Sequence, residues 1–195
     1  MAGSALILLN GTSSSGKTSI AQALQEISDR PYLRFSSDIL EEYVHRRFTD
    51  PWEAKQAFLP ALLQGHFHCM GALARTGNWV VADAVLEEPV LVDEAVRALW
   101  DQRAFLVGVH CPAEELERRE RQRGDRAIGM AVGQLERVHA HGVYDFAVDT
   151  SVASPLECAR RIAEFAEGAS PRAFAELKAA RGVDPAEARF ELDWW

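Results

Sequence analysis

Gly11-Thr12-Ser13-Ser14-Ser15-Gly16-Lys17-Thr18 fits the pattern G-x-x-x-x-G-K-[ST] at every fixed position. Upstream, residues 5–9 form a continuous apolar run that stops at Asn10-Gly11, and downstream Ile20, Leu24 and Ile27 recur at helical spacing. An unbroken apolar run is what a strand buried on both faces of a parallel sheet requires, so the motif lies between a strand and a helix. In that setting consecutive backbone N–H groups at a helix N-terminus present fixed dipoles to dense negative charge, and the glycines let the main chain approach it. Lys17 adds a mobile positive charge for β and γ phosphates, and the Thr18 hydroxyl is placed to ligate the Mg²⁺ that bridges them. Gly11, Thr12, Ser13, Ser14, Ser15, Gly16, Lys17 and Thr18 are therefore the predicted nucleotide-binding residues, with ATP and Mg²⁺ as the expected cofactors. The G-x-G-x-x-G fingerprint of dinucleotide sites fails, because Ser13 stands where its second glycine belongs. A serine-rich connecting turn is the remaining alternative.

Outward from the motif, short apolar runs return at residues 32–35, 79–82, 105–109 and 146–148, each separated by enough chain for a crossover helix. Helix starts are legible at Asp50-Pro51 before Trp52, at Cys111-Pro112 before Ala113, and at Ser154-Pro155 with Glu157 behind it as a capping pair. Strand, loop and helix repeated in this way predict an α/β fold of the three-layer αβα P-loop NTPase type. It has a five-stranded parallel sheet, is nucleotide-kinase-like, and gathers ligands at the carboxyl ends of its strands. The 195 residues suit one compact domain, with residues 1–167 as its body. Residues 168–195 read as an appendage, carrying a helical pattern over 173–181 and a tail that ends Trp194-Trp195. Hydrophobic docking is the default expectation for those two rings.

Two carboxylates fall at predicted strand ends. Asp83 closes the run 79–82 and reads as the acid that holds Mg²⁺ beside Thr18; a helix N-cap is the alternative. Asp38 follows the run 32–35 through Ser36-Ser37 and reads as the base that orients and deprotonates an attacking hydroxyl. The competing reading makes Ser37 or Asp38 the cap of a helix over 39–48.

Arginines concentrate in one place. Arg118, Arg119, Arg121, Arg123 and Arg126 lie within thirteen residues of an otherwise acidic chain, and Gly124 breaks the helix between the last two. Arg123 and Arg126 are thus candidates for a lid that clamps a transferring phosphoryl group. For Arg118, Arg119 and Arg121 a solvated helix face paired with Glu114, Glu115, Glu117 and Glu120 is the simpler expectation.

A formal net charge of -8 opposes a nucleic-acid partner, and the three scattered cysteines, Cys69, Cys111 and Cys158, predict reduced thiols. The apolar run at 5–9 is too short for a secretion signal and lacks a basic lead, so a cytoplasmic location without a membrane partner is expected. Self-association stays open. His66, His68 and Cys69, like His139 with His141, have the residue types of a metal site, but His66 and His68 fall on different sides of a helix.

Further segments carry a family likeness: Leu106-Val107-Gly108-Val109-His110-Cys111, Arg123-Gly124-Asp125-Arg126, Gly129-Met130-Ala131, Val138-His139, Gly142-Val143, Tyr144-Asp145 and Val148-Asp149-Thr150. In this order, and together with the phosphate loop, they resemble the chloramphenicol phosphotransferase-like family of P-loop enzymes over residues 5–167. The resemblance implies transfer of the ATP γ-phosphate to an antibiotic hydroxyl, with the base at Asp38, nucleotide on residues 11–18, a Walker-B-like Asp83 and lid arginines at Arg123 and Arg126. The expected function is therefore O-phosphorylation of a small hydroxyl-bearing substrate. Two rivals stand beside it: a nucleoside, sugar or other metabolite kinase, and a non-catalytic protein in which ATP gates partner binding.

Overall fold

The computed structural model describes residues 4–36, 40, 42–49, 52–123 and 128–186. Its strands are β1 (Leu6–Asn10), β2 (Tyr32–Ser36), β3 (Trp79–Ala84), β4 (Ala104–His110) and β5 (Phe146–Asp149), which form one sheet in the order β2-β3-β1-β4-β5. All four pairings are parallel, so the five predicted strands are present and share one carboxyl edge. The helices are α1 (Lys17–Ile27), α2 (Trp52–Arg75), α3 (Pro89–Leu99), α4 (Ala113–Arg123), α5 (Met130–Val138), α6 (Pro155–Gly168) and α7 (Ala173–Arg181).

The absence of alternation in β1 has a direct cause. Leu6 and Leu8 join α2, α3 and α7 in one core through Phe67, Met70, Val92, Val96, Phe174 and Leu177. Ile7 and Leu9 face the other way, onto Ile20 and Leu24 of α1 and Cys158 and Ile162 of α6. Every β1 residue is buried because helices cover both faces, which is the three-layer arrangement. Each fully buried Leu or Ile contributes about 1.5–3 kcal/mol relative to exposure. The capping pair at the start of α6 forms as expected: Glu157 N donates to Ser154 Oγ at 3.3 Å while Ser154 N donates to Glu157 Oε2 at 2.7 Å.

Two of the alternative readings are not met. A single helix over 39–48 does not form: among the described residues the chain turns at Tyr43 and re-forms only as a short 3-10 helix, Arg46–Phe48. His45 is extended and its Nδ1 accepts the Arg47 amide at 3.3 Å, a local side-chain bond that competes with helix continuation. The second concerns Asp83. β3 runs on to Ala84, and the next helix begins at Pro89 with Glu88 as N-cap, so Asp83 caps no helix.

The helix over 173–181 is part of the packed body. Ala173, Phe174 and Leu177 are buried against α3 and β4. Asp145, just before β5, fixes its entry: Oδ1 accepts from Arg172 N at 2.7 Å and Ala173 N at 3.0 Å, while Oδ2 accepts from Leu106 N at 2.8 Å. Trp194 and Trp195 lie outside the described residues. Among the described residues no helix is long and apolar enough to cross a membrane.

Candidate active site

Residues 11–16 turn the chain from β1 into α1 at the point where the order reverses between β3 and β4, the crevice in which open α/β sheets bind ligands. Two glycines are required there. A Cβ on Gly11 would sit 2.5 Å from the Val109 carbonyl oxygen, and Gly16 occupies the left-handed region at φ +96°. Lys17 is buried, and its Nζ donates to the carbonyls of Gly11 at 2.8 Å and Thr12 at 2.6 Å, so the ammonium lies across the loop it opens from.

The loop is held from beneath by residues far away in sequence. Thr150, at the end of β5, donates its hydroxyl to Ser15 O at 2.7 Å. Arg119 of α4 donates to Ser14 O at 3.3 Å, to Thr150 Oγ1 at 3.0 Å and to Thr150 O at 2.7 Å, with Glu115 accepting from its Nε at 2.7 Å. Hydrogen bonds from Arg118 and Arg119 hold the Glu115 carboxyl down at about 2. The pairs of Glu115 with Arg118 and of Glu117 with Arg121 follow the solvated-face expectation. Arg119 and Glu120 do not. The Glu120 carboxylate is fully buried and accepts the amides of Gly129 at 2.7 Å and Ala131 at 2.8 Å, joining α4 to the first turn of α5. Leu116 is the one large apolar residue of α4, and positions three and four beyond it share its face. That spacing is the signal that marks Arg119 and Glu120 as inward.

Asp83 sits across the sheet from Ser36 in register, with Oδ2 accepting the Thr18 hydroxyl at 3.3 Å. Its Oδ1 is buried and has no hydrogen-bond partner among the described residues. A buried carboxylate oxygen without a donor, beside a hydroxyl, is a pair of hard oxygen ligands, and these residues fit Mg²⁺. Lys17, Thr18, Ser36, Asp83, Arg123 and Gln134 border one cavity of about 500 Å³. A second, of about 340 Å³, lies on the other side of the loop against Gly16, Arg119, Thr150 and Pro155. Arg123, the last residue of α4, borders both. A third cavity, of about 480 Å³ and mainly apolar, opens between α2 and α5 at Leu59, Met130 and Gly133, with Glu87 and Arg137 paired at 2.7 Å on its wall. Asp38, two residues beyond Ser36, and Arg126 lie outside the described residues.

The histidines divide as their spacing implies. His66 is buried, stacks on Phe35 with ring centroids 5.2 Å apart, and places Nε2 3.3 Å from the Asp83 carbonyl oxygen, while His68 is exposed. His139 and His141 belong to one group with His110, Tyr144 and Asn10, the last residue of β1. His139 stacks on His110 at 4.2 Å and its Nδ1 lies 2.6 Å from the Tyr144 hydroxyl. Asn10 Nδ2 lies 2.7 Å from that hydroxyl and 3.2 Å from His141 Nε2.

Burial pushes both His139 and His141 down from 6.5 to about 4; for His139 the neighbouring His110, His141 and Lys17 add to it. The unfolded chain therefore takes up these protons at a higher pH than the folded protein, and the stability they contribute is whole above pH 6.5 and lost as pH falls toward 4. Urea midpoints are expected to drop between pH 7 and pH 5, with a smaller drop in His139→Gln. Equal slopes in the two proteins would contradict this.

A parallel five-stranded sheet with an amide-lined loop, a buried lysine and a Thr–Asp oxygen pair defines a P-loop kinase fold. The chain belongs to the chloramphenicol phosphotransferase-like family, whose model matches residues 4–167. A protein of Mycobacterium tuberculosis bearing the name "Putative O-phosphotransferase" is 31% identical over 196 residues, covering 89% of this chain and 87% of its own. Among solved structures, the Mycobacterium tuberculosis APS kinase CysC in complex with AMPPNP and APS aligns with TM-score 0.65 at 18% identity, over 85% of this chain and 98% of that one. Shikimate kinase from Acinetobacter baumannii in complex with shikimate aligns with TM-score 0.62 at 15% identity, over 86% and 94%. The Deinococcus radiodurans tunicamycin resistance protein aligns with TM-score 0.60 at 15% identity, over 83% and 94%. At these identities the likeness is one of fold. The family and fold together make the chain a phosphotransferase of the kinase type.

Proposed function

We propose that the chain moves the γ-phosphoryl group of ATP onto a hydroxyl of a small, uncharged and largely apolar molecule, a class that includes hydroxylated antibiotics. The supporting observation is the 500 Å³ cavity, which brings Lys17, the Thr18–Asp83 pair and Arg123 to one place beside the end of β2. In this reading the acceptor oxygen bonds to the γ-phosphorus, the bond from that phosphorus to the bridging oxygen breaks, and ADP leaves with its electron pair. Asp38, carried just past β2, orients the acceptor hydroxyl and takes its proton. When bound, Mg²⁺ would supply charge neutralisation to the transferring phosphoryl group, and Thr18 and Asp83 would hold it. Lys17, Arg123 and Arg126 stabilise charge on the transferring group, and residues 11–18 cradle the polyphosphate.

The nucleotide's base and ribose belong in the 340 Å³ cavity beside Arg119 and Pro155, whereas the acceptor belongs in the mainly apolar cavity between α2 and α5. There the charges of Glu87 and Arg137 are matched by each other, which favours an acceptor without a net charge of its own. Free thiols at Cys69, Cys111 and Cys158 accord with a cytoplasmic enzyme. The test is incubation of the protein with ATP, Mg²⁺ and a mixed pool of hydroxylated antibiotics, nucleosides and sugars, read by mass spectrometry. One added phosphate on an uncharged, largely apolar acceptor is expected. Saturable ATP binding with no phosphorylated acceptor would overturn the transfer reading, and transfer confined to sugars or charged metabolites would overturn the acceptor class.

A further inference from the structure

Gln134 of α5 joins the phosphate loop to the apolar cavity. Its Oε1 accepts the Ser13 amide hydrogen at 2.8 Å, and its Nε2 donates to Glu87 Oε1 at 3.3 Å. Glu87 is anchored in turn through its other oxygen, which accepts from Arg137 at 2.7 Å. Gln134 borders both the 500 Å³ phosphate cavity and the 480 Å³ apolar cavity.

Ser13 is the third residue of the phosphate loop, and the amides of such a loop are there to donate to polyphosphate oxygens. A backbone N–H has one hydrogen. A phosphate oxygen that takes it displaces Gln134 Oε1, whose carboxamide stays tethered through Nε2 to Glu87 on the cavity wall. The carbonyl thereby becomes an acceptor facing the bound hydroxyl compound.

We propose that Gln134 is a positioning residue that exchanges its hydrogen bond with Ser13 for one from the acceptor molecule when polyphosphate arrives. The residue thus makes nucleotide and acceptor binding favour one another. This rests on the transfer reading for the identity of the second ligand, but the exchange at Ser13 does not. By reciprocity each ligand raises the affinity of the other by one common factor, on the order of ten-fold.

The test uses the full chain with a non-hydrolysable ATP analogue and Mg²⁺, in the absence of any acceptor. In the ¹⁵N-labelled protein, saturation is expected to move the Ser13 amide and the Gln134 carboxamide resonances together. In calorimetry, Gln134→Ala is expected to bind the analogue about three- to ten-fold more tightly, because no internal bond has to be broken first. A Ser13 shift with an unmoved Gln134 carboxamide, or unchanged or weaker binding by a folded Gln134→Ala, would overturn the proposal. With an acceptor found in the compound pool, the same variant is expected to raise the acceptor KM about ten-fold while kcat changes little. A kcat loss at unchanged KM would overturn the positioning role. Failure of the transfer reading would show only in the compound pool and leaves the titration to be judged separately.

Discussion

Lys17→Met is expected to lower phosphoryl transfer by roughly 10²- to 10³-fold and to weaken ATP binding in parallel. Methionine keeps the apolar stem and is one atom shorter, so the loop loses the charge and the hydrogen bonds to the Gly11 and Thr12 carbonyls but little volume. Those bonds, to the carbonyls of Gly11 and Thr12, draw together the loop proposed to accept phosphate. The prediction therefore has a structural component as well as an electrostatic one. Comparing urea midpoints with calorimetric ATP titrations separates them: a modest midpoint change with a large loss of affinity is the expected pattern. ATP affinity unaltered in a folded Lys17→Met protein would contradict the placement of polyphosphate in this loop.

Asp38→Asn is expected to reduce kcat by roughly 10²- to 10⁴-fold while leaving ATP affinity within about two-fold. Asparagine retains the shape of the carboxylate and its ability to accept one hydrogen bond, but it takes up no proton. The loss should thus fall on the chemical step, and it is measured in single-turnover phosphorylation of whatever acceptor the compound pool yields. A protein in which ATP merely gates partner binding would be indifferent to this change. Turnover preserved in Asp38→Asn would remove the base from Asp38 and send the search to other groups at the end of β2.

The parts of the molecule governed by local rules were readable in advance. Continuous apolar runs gave five parallel strands because both faces of the sheet are covered, and Ser154-Pro155 with Glu157 marked the start of α6 because the reciprocal cap needs only neighbouring residues. The meeting of Thr18 with Asp83 also follows from local position, Thr18 standing in the first turn of α1 and Asp83 near the carboxyl end of β3. What escaped were contacts made across the chain. Arg119 reaches Thr150 and Ser14, Glu120 accepts amides from α5, and Gln134 meets Ser13; the spacing from Leu116 turns Arg119 and Glu120 inward but does not name their partners, and nothing local marks Gln134. The failed helix over 39–48 has a different cause, since His45 satisfies a backbone amide with its own ring, an option that apolar periodicity does not register.

The last helix, α7, carries a lesson about boundaries. The family's model matches as far as residue 167, whereas burial continues through Phe174 and Leu177 to Val183. A recombinant fragment cut after residue 167 would uncover an oily seam along α3 and leave Asp145 without two of its amide donors.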